Sequence, residues 1–561
     1  MKRSGIYDNI KCSSSIKPKF TPQPHQIEAM NAFISSQFKG MLLYHKLGSG
    51  KTCTSLMISD AMLEKKLVDH VYILSPGSLR SGWISEYCDV CGEDKKKLEK
   101  NYTFITYNYM VGNHLPDFDK SLVIIDEVHN LINGAKNISI HPTAIYNTLM
   151  KSNCRILALS GTPVYNYVFE FSLLGNLLKP GGFFPEIRQG KTIISQEFMK
   201  FFIEDEDGSL KPNNETSMFN KLNGIISYFP GAGKEFVPQV IEEPILKVQM
   251  SLDQEMHYWA RAMVEDMCSK PPSPSLLRSN PKRYKELQKL YIMAKKHVIT
   301  RSASNFYYPE DIEDEKDLLK TQGGWIDKEK FINGKLFKTY SMKITALITN
   351  IVMHNKQKHV LFTFFKEKAG VYLLNNMLKL CNIKSEIFSG DLDDKQRAKL
   401  LKDFNSDKNK YGNKIRLLLV TEAGAEGISV LNARHMHILE SSPRMSKTIQ
   451  AIGRVARFRS HIMLPVEERN IKVWRYWSVA TPEPITITVK VPDTEGVGEE
   501  NKDKTFTIIN KKTIDEILYE KGLKTIKEIK SFQDILKNAS VTDFNEDDNP
   551  IEDSNDKIRD V

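Results

Sequence analysis

The sequence predicts an α/β fold: two lobes with parallel sheets, a helical insert between them, and a C-terminal hairpin-plus-helix extension. Three observations carry this expectation. Short apolar runs alternate with longer amphipathic stretches over the first 180 residues, the alternation restarts near residue 340, and charge-rich, helix-forming sequence separates the two series.

In the first series the expected strands are Met41–Tyr44, Val71–Leu74, Phe104–Thr106, Leu122–Ile125 and Ile156–Leu159. In the second they are Val360–Thr363, Glu386–Phe388, Arg416–Val420, His435–Leu439 and Ile471–Trp474. Such unbroken apolar runs suit strands buried on both faces. The insert holds a Pro/Ser segment, Lys270 to Ser275, expected as an exposed loop. Alternation in Ile485–Val489 and Thr505–Ile509 predicts a hairpin, and 512–538 has helical periodicity. The expected boundaries are 1–255 for the first lobe, 256–335 for the insert and 336–480 for the second lobe. Hairpin and helix follow over 481–540, then an acidic tail over 541–561.

Composition excludes several classes. Of 561 residues, 41% are hydrophobic and 26% charged, an ordinary globular balance. No apolar run approaches the ~18–20 residues that cross a bilayer, so no membrane association is expected. Lys2 and Arg3 are followed by no apolar segment, so no secretory leader is expected. Seven scattered cysteines argue for reduced thiols rather than a disulfide scaffold. The tail carries eight acids against Lys557 and Arg559, a net of −6, so the total of +10 leaves +16 on the rest. A basic body suits a polyanionic partner such as nucleic acid.

Chemistry first shows at Gly48-Ser49-Gly50-Lys51-Thr52, which follows the strand Met41–Tyr44 and opens a helical segment. Glycines let backbone N–H groups wrap phosphate oxygens, and the helix N-terminus adds positive potential. In that pattern Lys51 bridges the β- and γ-phosphates of a nucleotide, and the Thr52 hydroxyl holds Mg²⁺. His45 stands where the full pattern has glycine. Downstream, Asp126-Glu127-Val128-His129 follows four apolar residues, placing two carboxylates at the tip of a buried strand. Asp126 is expected in the Mg²⁺ shell, and Glu127 is expected to orient and deprotonate the attacking water. The two motifs together predict ATP hydrolysis.

With these residues in hand the chain resembles the superfamily 2 helicases and translocases of DExH type. Gln26 resembles the upstream glutamine that reads adenine there, and Ser75-Pro76-Gly77-Ser78-Leu79 with Trp83 resembles motif Ia of the Swi/Snf-related branch. Ser160-Gly161-Thr162-Pro163 matches motif III, which implies with His129 a role in coupling nucleotide state to lobe movement. Thr421 to Ile428 resembles motif V, which implies a nucleotide contact at Gly427 and, with Pro76 and Ser78, a nucleic-acid contact at Thr421. Gln450-Ala451-Ile452-Gly453-Arg454-Val455-Ala456-Arg457 fits motif VI. Arginine is permanently charged and forks onto phosphate oxygens, so Arg454 and Arg457 suit the charge that develops on a γ-phosphoryl group. The resemblance implies two RecA-like lobes that complete the site on closing.

Features around Arg301, Asn305-Phe306-Tyr307-Tyr308-Pro309, Ser460-His461 and Thr513–Tyr519 resemble the poxvirus nucleoside triphosphate phosphohydrolase I and early transcription factor helicases of large DNA viruses. That likeness implies a place in virion and host cytoplasm and contact with a viral RNA polymerase. It leaves two functions in view: a helicase that parts strands, and a duplex translocase serving transcription initiation or termination.

Weaker signals read more plainly. Cys88-Asp89-Val90-Cys91 is one pair where structural zinc needs four ligands, so two thiols are expected. Phe362, Phe364 and Phe365 read as a core strand rather than a base-stacking platform. The run Lys282, Arg283, Lys285, Lys289, Lys295 and Lys296 reads equally as a phosphate track or a solvated face.

Overall fold

The computed structural model describes residues 22–46, 48–76, 83, 95–107, 115–181, 184–185, 191–231, 236–308, 340–367, 369–425, 428–491, 502–509 and 511–542. The chain forms two compact units, Met1–Glu235 with Lys524–Glu552, and Phe236–Leu523 with Asp553–Val561.

The first unit is built on strands β1 (Gly40–His45), β2 (His70–Ser75), β3 (Tyr102–Thr106), β4 (Ser121–Asp126) and β5 (Arg155–Leu159). A short antiparallel hairpin, β6 (Phe202–Glu204) and β7 (Leu210–Pro212), precedes β8 (Ile226–Phe229). The main sheet runs β3-β2-β4-β5-β1-β8 with every pairing parallel. Period-two geometry sends neighbouring residues to opposite faces, and both faces are covered. Leu42, Tyr44, Val123 and Ile125 enter one core while Met41, Leu43, Leu122 and Ile124 enter the other. Parallel strands all end on the same edge, so the loops after β1, β4 and β5, three neighbours in the sheet, emerge together.

The later turns of the C-terminal helix Ile514–Asn538 belong to this unit and add Ile529, Phe532 and Leu536 to its first core. The Phe532 ring packs edge-on against Phe171 at 5.3 Å between centroids. What reads in the sequence as an appended helix is therefore part of a core.

The second unit contains β9 (Gln239–Glu242), β10 (Leu246–Gln249), β11 (Lys358–Thr363), β12 (Ser385–Phe388), β13 (Leu417–Thr421), β14 (Ala433–Ile438) and β15 (Asn470–Val479). Its sheet runs β10-β15-β14-β11-β13-β12, again all parallel, and β9 also pairs with β15. The unit begins at Phe236, earlier than the boundary expected at 255. The reason lies in β15, ten residues long, whose outer backbone groups need partners. Residues 239–249 supply them in two pieces because Pro244, between them, has no N–H to donate.

The insert is helical where described: Leu252–Met267, Pro274–Ser279, Pro281–Lys295 and Val298–Asn305. The Pro/Ser segment is a loop only as far as Ser273, whose hydroxyl accepts from Ser275 N while Pro274 takes the first helical position. Strands β16 (Ile485–Val491) and β17 (Lys502–Ile508) form the expected antiparallel hairpin. Its inner face, Ile485, Ile487, Val489 and Ile508, packs with Tyr258 and Trp259. Phe362 is a core residue of β11, as expected, with Phe364 edge-on to it at 5.0 Å. Cys88 and Cys91 lie outside the described residues, as does the acidic tail from 543 onward.

A buried ion pair ties the first turn of the C-terminal helix into the second unit. Lys343 Nζ lies 2.6 Å from Asp515 Oδ2, both side chains fully buried. Asp515 also accepts from Ser304 Oγ at 2.5 Å, Ser478 N at 3.0 Å and Ser441 N at 3.3 Å. Asp515→Ala leaves the Lys343 ammonium uncompensated, so urea unfolding should show a loss of about 3–5 kcal/mol. The Lys343→Met/Asp515→Leu pair, which removes both charges, should recover most of it.

Candidate active site

The loop after β1 turns through left-handed backbone at Gly48 (φ 78°) and Gly50 (φ 71°), where a side chain is strained. At Gly50 a Cβ would also stand 2.7 Å from Gln26 Nε2. The helix Lys51–Glu64 starts directly behind, so its free N–H groups face the loop. The helix Pro24–Ser35 braces the turn. His25 Nε2 lies 2.9 Å from Ser49 O and its ring stacks on Phe229 at 3.6 Å, while Gln26 Nε2 donates to the Ser49 and Gly50 carbonyls at 3.4 Å each. Gln26 Oε1 accepts from Gln23 N at 2.8 Å, so the Gln26 amide is tied at both ends.

Lys51 Nζ donates to the carbonyls of His45 at 2.8 Å and Lys46 at 3.3 Å, holding the ammonium over the loop. His45 is the last residue of β1 and is buried, with Nε2 2.9 Å from Ser227 Oγ. Burial foremost, then His25 and Lys51, push its pKa well down and keep it neutral. The departure from glycine at 45 falls on the strand itself, and among the described residues of the turn the positive-φ positions are 48 and 50.

Asp126 ends β4 and Glu127 follows at φ 49°, a left-handed conformation costly for a residue with a Cβ. Asp126 Oδ2 accepts from Trp83 Nε1 at 2.8 Å, and its carbonyl accepts from the Tyr107 hydroxyl at 2.6 Å. Burial first, then the neighbouring Glu127, raises the Asp126 pKa to about 6 against the opposing pull of the Trp83 bond and Lys51. Burial, then Asp126 and Glu127, pushes the Tyr107 hydroxyl far up, so it donates rather than ionises. His129 Nδ1 is 3.4 Å from both Glu127 Oε2 and Ser160 Oγ, its ring stacked on Tyr165. Ser160 Oγ accepts from Thr162 N at 3.0 Å. A Cβ on Gly161 would lie 3.6 Å from His45 O and 4.0 Å from Lys51 Nζ. The glycine loop, the Asp126–His129 turn and the Ser160–Thr162 turn thus form one constellation. Pro76 stands half-buried just past the end of β2, while Ser78 lies outside the described residues.

In the second unit the helix Met445–Val455 turns Met445, Thr448, Ala451, Ile452 and Val455 into the core and keeps Gln450 and Arg454, one turn apart, on its other side. Arg457 follows the helix, its Nη1 donating to Ile428 O at 3.4 Å and its N to Ser460 Oγ at 3.2 Å. Thr421 ends β13 buried, its hydroxyl accepting from Gly424 N at 3.2 Å. Gly427 lies outside the described residues.

Residues 342–459 match the family described as "Helicase conserved C-terminal domain", and residues 19–165 match "Type III restriction enzyme, res subunit". The chain is 25% identical over 506 residues to a protein of Acanthamoeba polyphaga mimivirus named "Putative ATP-dependent RNA helicase", covering 82% of each. It is 24% identical over 580 residues to the "Termination factor NPH-I homolog" of African swine fever virus, covering 90% of this chain and 76% of that one. Residues 19–165 and 342–459 thus carry the two domains of a superfamily 2 helicase. Among solved structures, the Hef helicase domain of Pyrococcus furiosus is 14% identical, covering 81% of this chain and 95% of that one, with a TM-score of 0.40. The helicase is an ATP-dependent enzyme acting on nucleic acid.

Two residues gained a place in this site only from the structure. Trp83 was legible as part of motif Ia but not as a donor to Asp126, and Tyr107 carried no signal beyond standing past an expected strand. Trp83→Phe removes one hydrogen bond from the Asp126 carboxylate and, with Asp126 in the Mg²⁺ shell as the sequence leads one to expect, should raise the Mg²⁺ concentration for half-maximal ATP hydrolysis about tenfold or more. Because that bond favours the charged carboxylate, the acid limb of kcat/KM, expected near pH 6, should move to higher pH in this variant.

Proposed function

We propose that the first unit binds ATP on the Gly48–Thr52 loop, with Ser49 and the glycines offering backbone N–H groups and Lys51 contacting the β- and γ-phosphates. The observation that carries this reading is the convergence of three turns from neighbouring strands on the Lys51 ammonium. Gln26, already fastened to the loop, lies on the adenine side. Glu127 orients and deprotonates the attacking water, and His129, within 3.4 Å of both Glu127 and Ser160, relays the nucleotide state to Thr162.

The donor set fits Mg²⁺. No cluster of three or more His, Cys, Asp or Glu among the described residues makes a ready-made metal cage. One carboxylate, Asp126, and one hydroxyl, Thr52, suit an ion that arrives with nucleotide phosphates and keeps its waters. When bound, it supplies charge neutralisation at the phosphoryl oxygens. Gln450, Arg454 and Arg457 complete the site from the second unit when the lobes close, Gly427 contacts nucleotide, and Pro76, Ser78 and Thr421 contact the nucleic-acid backbone.

The likeness to an African swine fever virus termination factor favours a second level of reading: a viral duplex translocase that works on a transcribing polymerase in the virion and host cytoplasm. Triplex displacement without strand separation supports it, whereas unwinding of a tailed duplex supports the helicase that parts strands.

ATP turnover should rise at least tenfold when nucleic acid is added, measured separately with single-stranded and duplex DNA and RNA. Lys51→Ala should abolish it. Glu127→Gln should bind ATP yet hydrolyse it about a hundredfold or more slowly. Turnover indifferent to nucleic acid, or unaltered in either variant, overturns the assignment.

A further inference from the structure

The densest positive charge of the described chain lies on the helices of the insert. Residues 270–297 contain Lys270, Arg278, Lys282, Arg283, Lys285, Lys289, Lys295 and Lys296 against a single acid, Glu286, a net of +7 in 28 residues. Glu286 is spent on Arg283, 3.3 Å away on the same helix.

The helix Pro281–Lys295 is two-sided. Leu287 and Ala294 are buried, and the opposite side carries Lys282, Lys285, Lys289, Ile292 and the C-cap Lys296, all exposed. These steps of three, four, three and four residues keep the five on one line of a helix, because 3.6 residues make a turn. No ion pair engages any of the four lysines among the described residues. Beside them runs a groove lined by Tyr284, Lys285, Gln288, Lys289, Ile292 and Met293. A solvated helix face intersperses charges of both signs and gains from Glu–Lys pairs one turn apart. Here the one acid at the edge of the face, Glu286, stands one turn from Lys282 and Lys289 but pairs with Arg283 instead. Four like charges within about 21 Å repel one another, and that cost is relieved when a polyanion lies along them.

We propose that this lysine line is a phosphate-backbone track, a nucleic-acid contact additional to those of the helicase motifs. The inference rests on the nucleic-acid dependence stated above. About 21 Å of duplex axis spans roughly six phosphates of one strand at ~3.4 Å of axial rise each. Lysine ammoniums are point charges that make no demand on base identity, so the contact is independent of sequence.

The test uses the full chain, with Lys282, Lys285, Lys289 and Lys296 changed together to Ala or together to Arg. Binding to duplex and single-stranded DNA is measured without nucleotide between about 50 and 200 mM salt. The Ala variant should bind at least tenfold more weakly at the lower salt, with a log–log salt slope shallower by about 3–4, close to one for each lysine–phosphate pair removed. The Arg variant should keep the wild-type slope, and both should keep the wild-type rate of ATP hydrolysis without nucleic acid. A slope unchanged in the Ala variant, with wild-type protein binding normally, overturns the track and leaves the line to an acidic protein surface. Wild-type protein that binds no nucleic acid overturns both this inference and the reading beneath it.

Discussion

Parallel strand pairing is the constraint from which the working geometry follows. Parallel strands buried on both faces must start and stop on the same sides of their sheet, so residues far apart in sequence leave β1, β4 and β5 at a common edge. Lys51, Asp126 and Ser160 are spread over more than a hundred residues, yet β5 lies hydrogen-bonded between β1 and β4 and brings their turns together. Register does the rest: Ile125 pairs with Ala158 and Asp126 with Leu159, which stops the carboxylate one residue short of Ser160.

The turns are then specialised by local means. Left-handed backbone is allotted to glycine in the turn after β1, at 48 and 50, and imposed on Glu127 where it re-aims a carboxylate. Neutral groups manage the charges. Backbone carbonyls hold Lys51, an indole N–H holds Asp126, and a tyrosine hydroxyl fastens the Asp126 backbone. Lys51 and Asp126 also act on each other, the ammonium pulling the carboxyl pKa down against burial and Glu127. A cation beside this buried carboxyl, its pKa raised to about 6, would favour the charged form.

Much of this was readable before any coordinates, for identifiable reasons. Both strand series, the glycine turn and Asp126–His129 are local patterns: apolar runs, conformational freedom and residue order suffice to find them. The hairpin is local too, with Thr486 and Thr488 alternating against Ile485, Ile487 and Val489. What could not be read depends on partners distant in sequence. Trp83 reaches Asp126 across 43 residues and Lys343 reaches Asp515 across 172. Residues 239–249 join the second sheet because β15 has an open edge, a fact about β15 and not about their own short, broken pattern. The C-terminal helix has the right periodicity but no local mark of which core receives Phe532.

We propose that neither unit hydrolyses ATP alone, since Lys51, proposed to bind the phosphates, and Arg457, proposed to neutralise the reacting one, belong to different units. Single-turnover hydrolysis by Arg457→Ala at saturating nucleic acid tests this most directly, with nucleotide affinity measured on the same protein. Near-normal ATP affinity is expected, with a hydrolysis rate lower by about a thousandfold. Hydrolysis at the wild-type rate would contradict it.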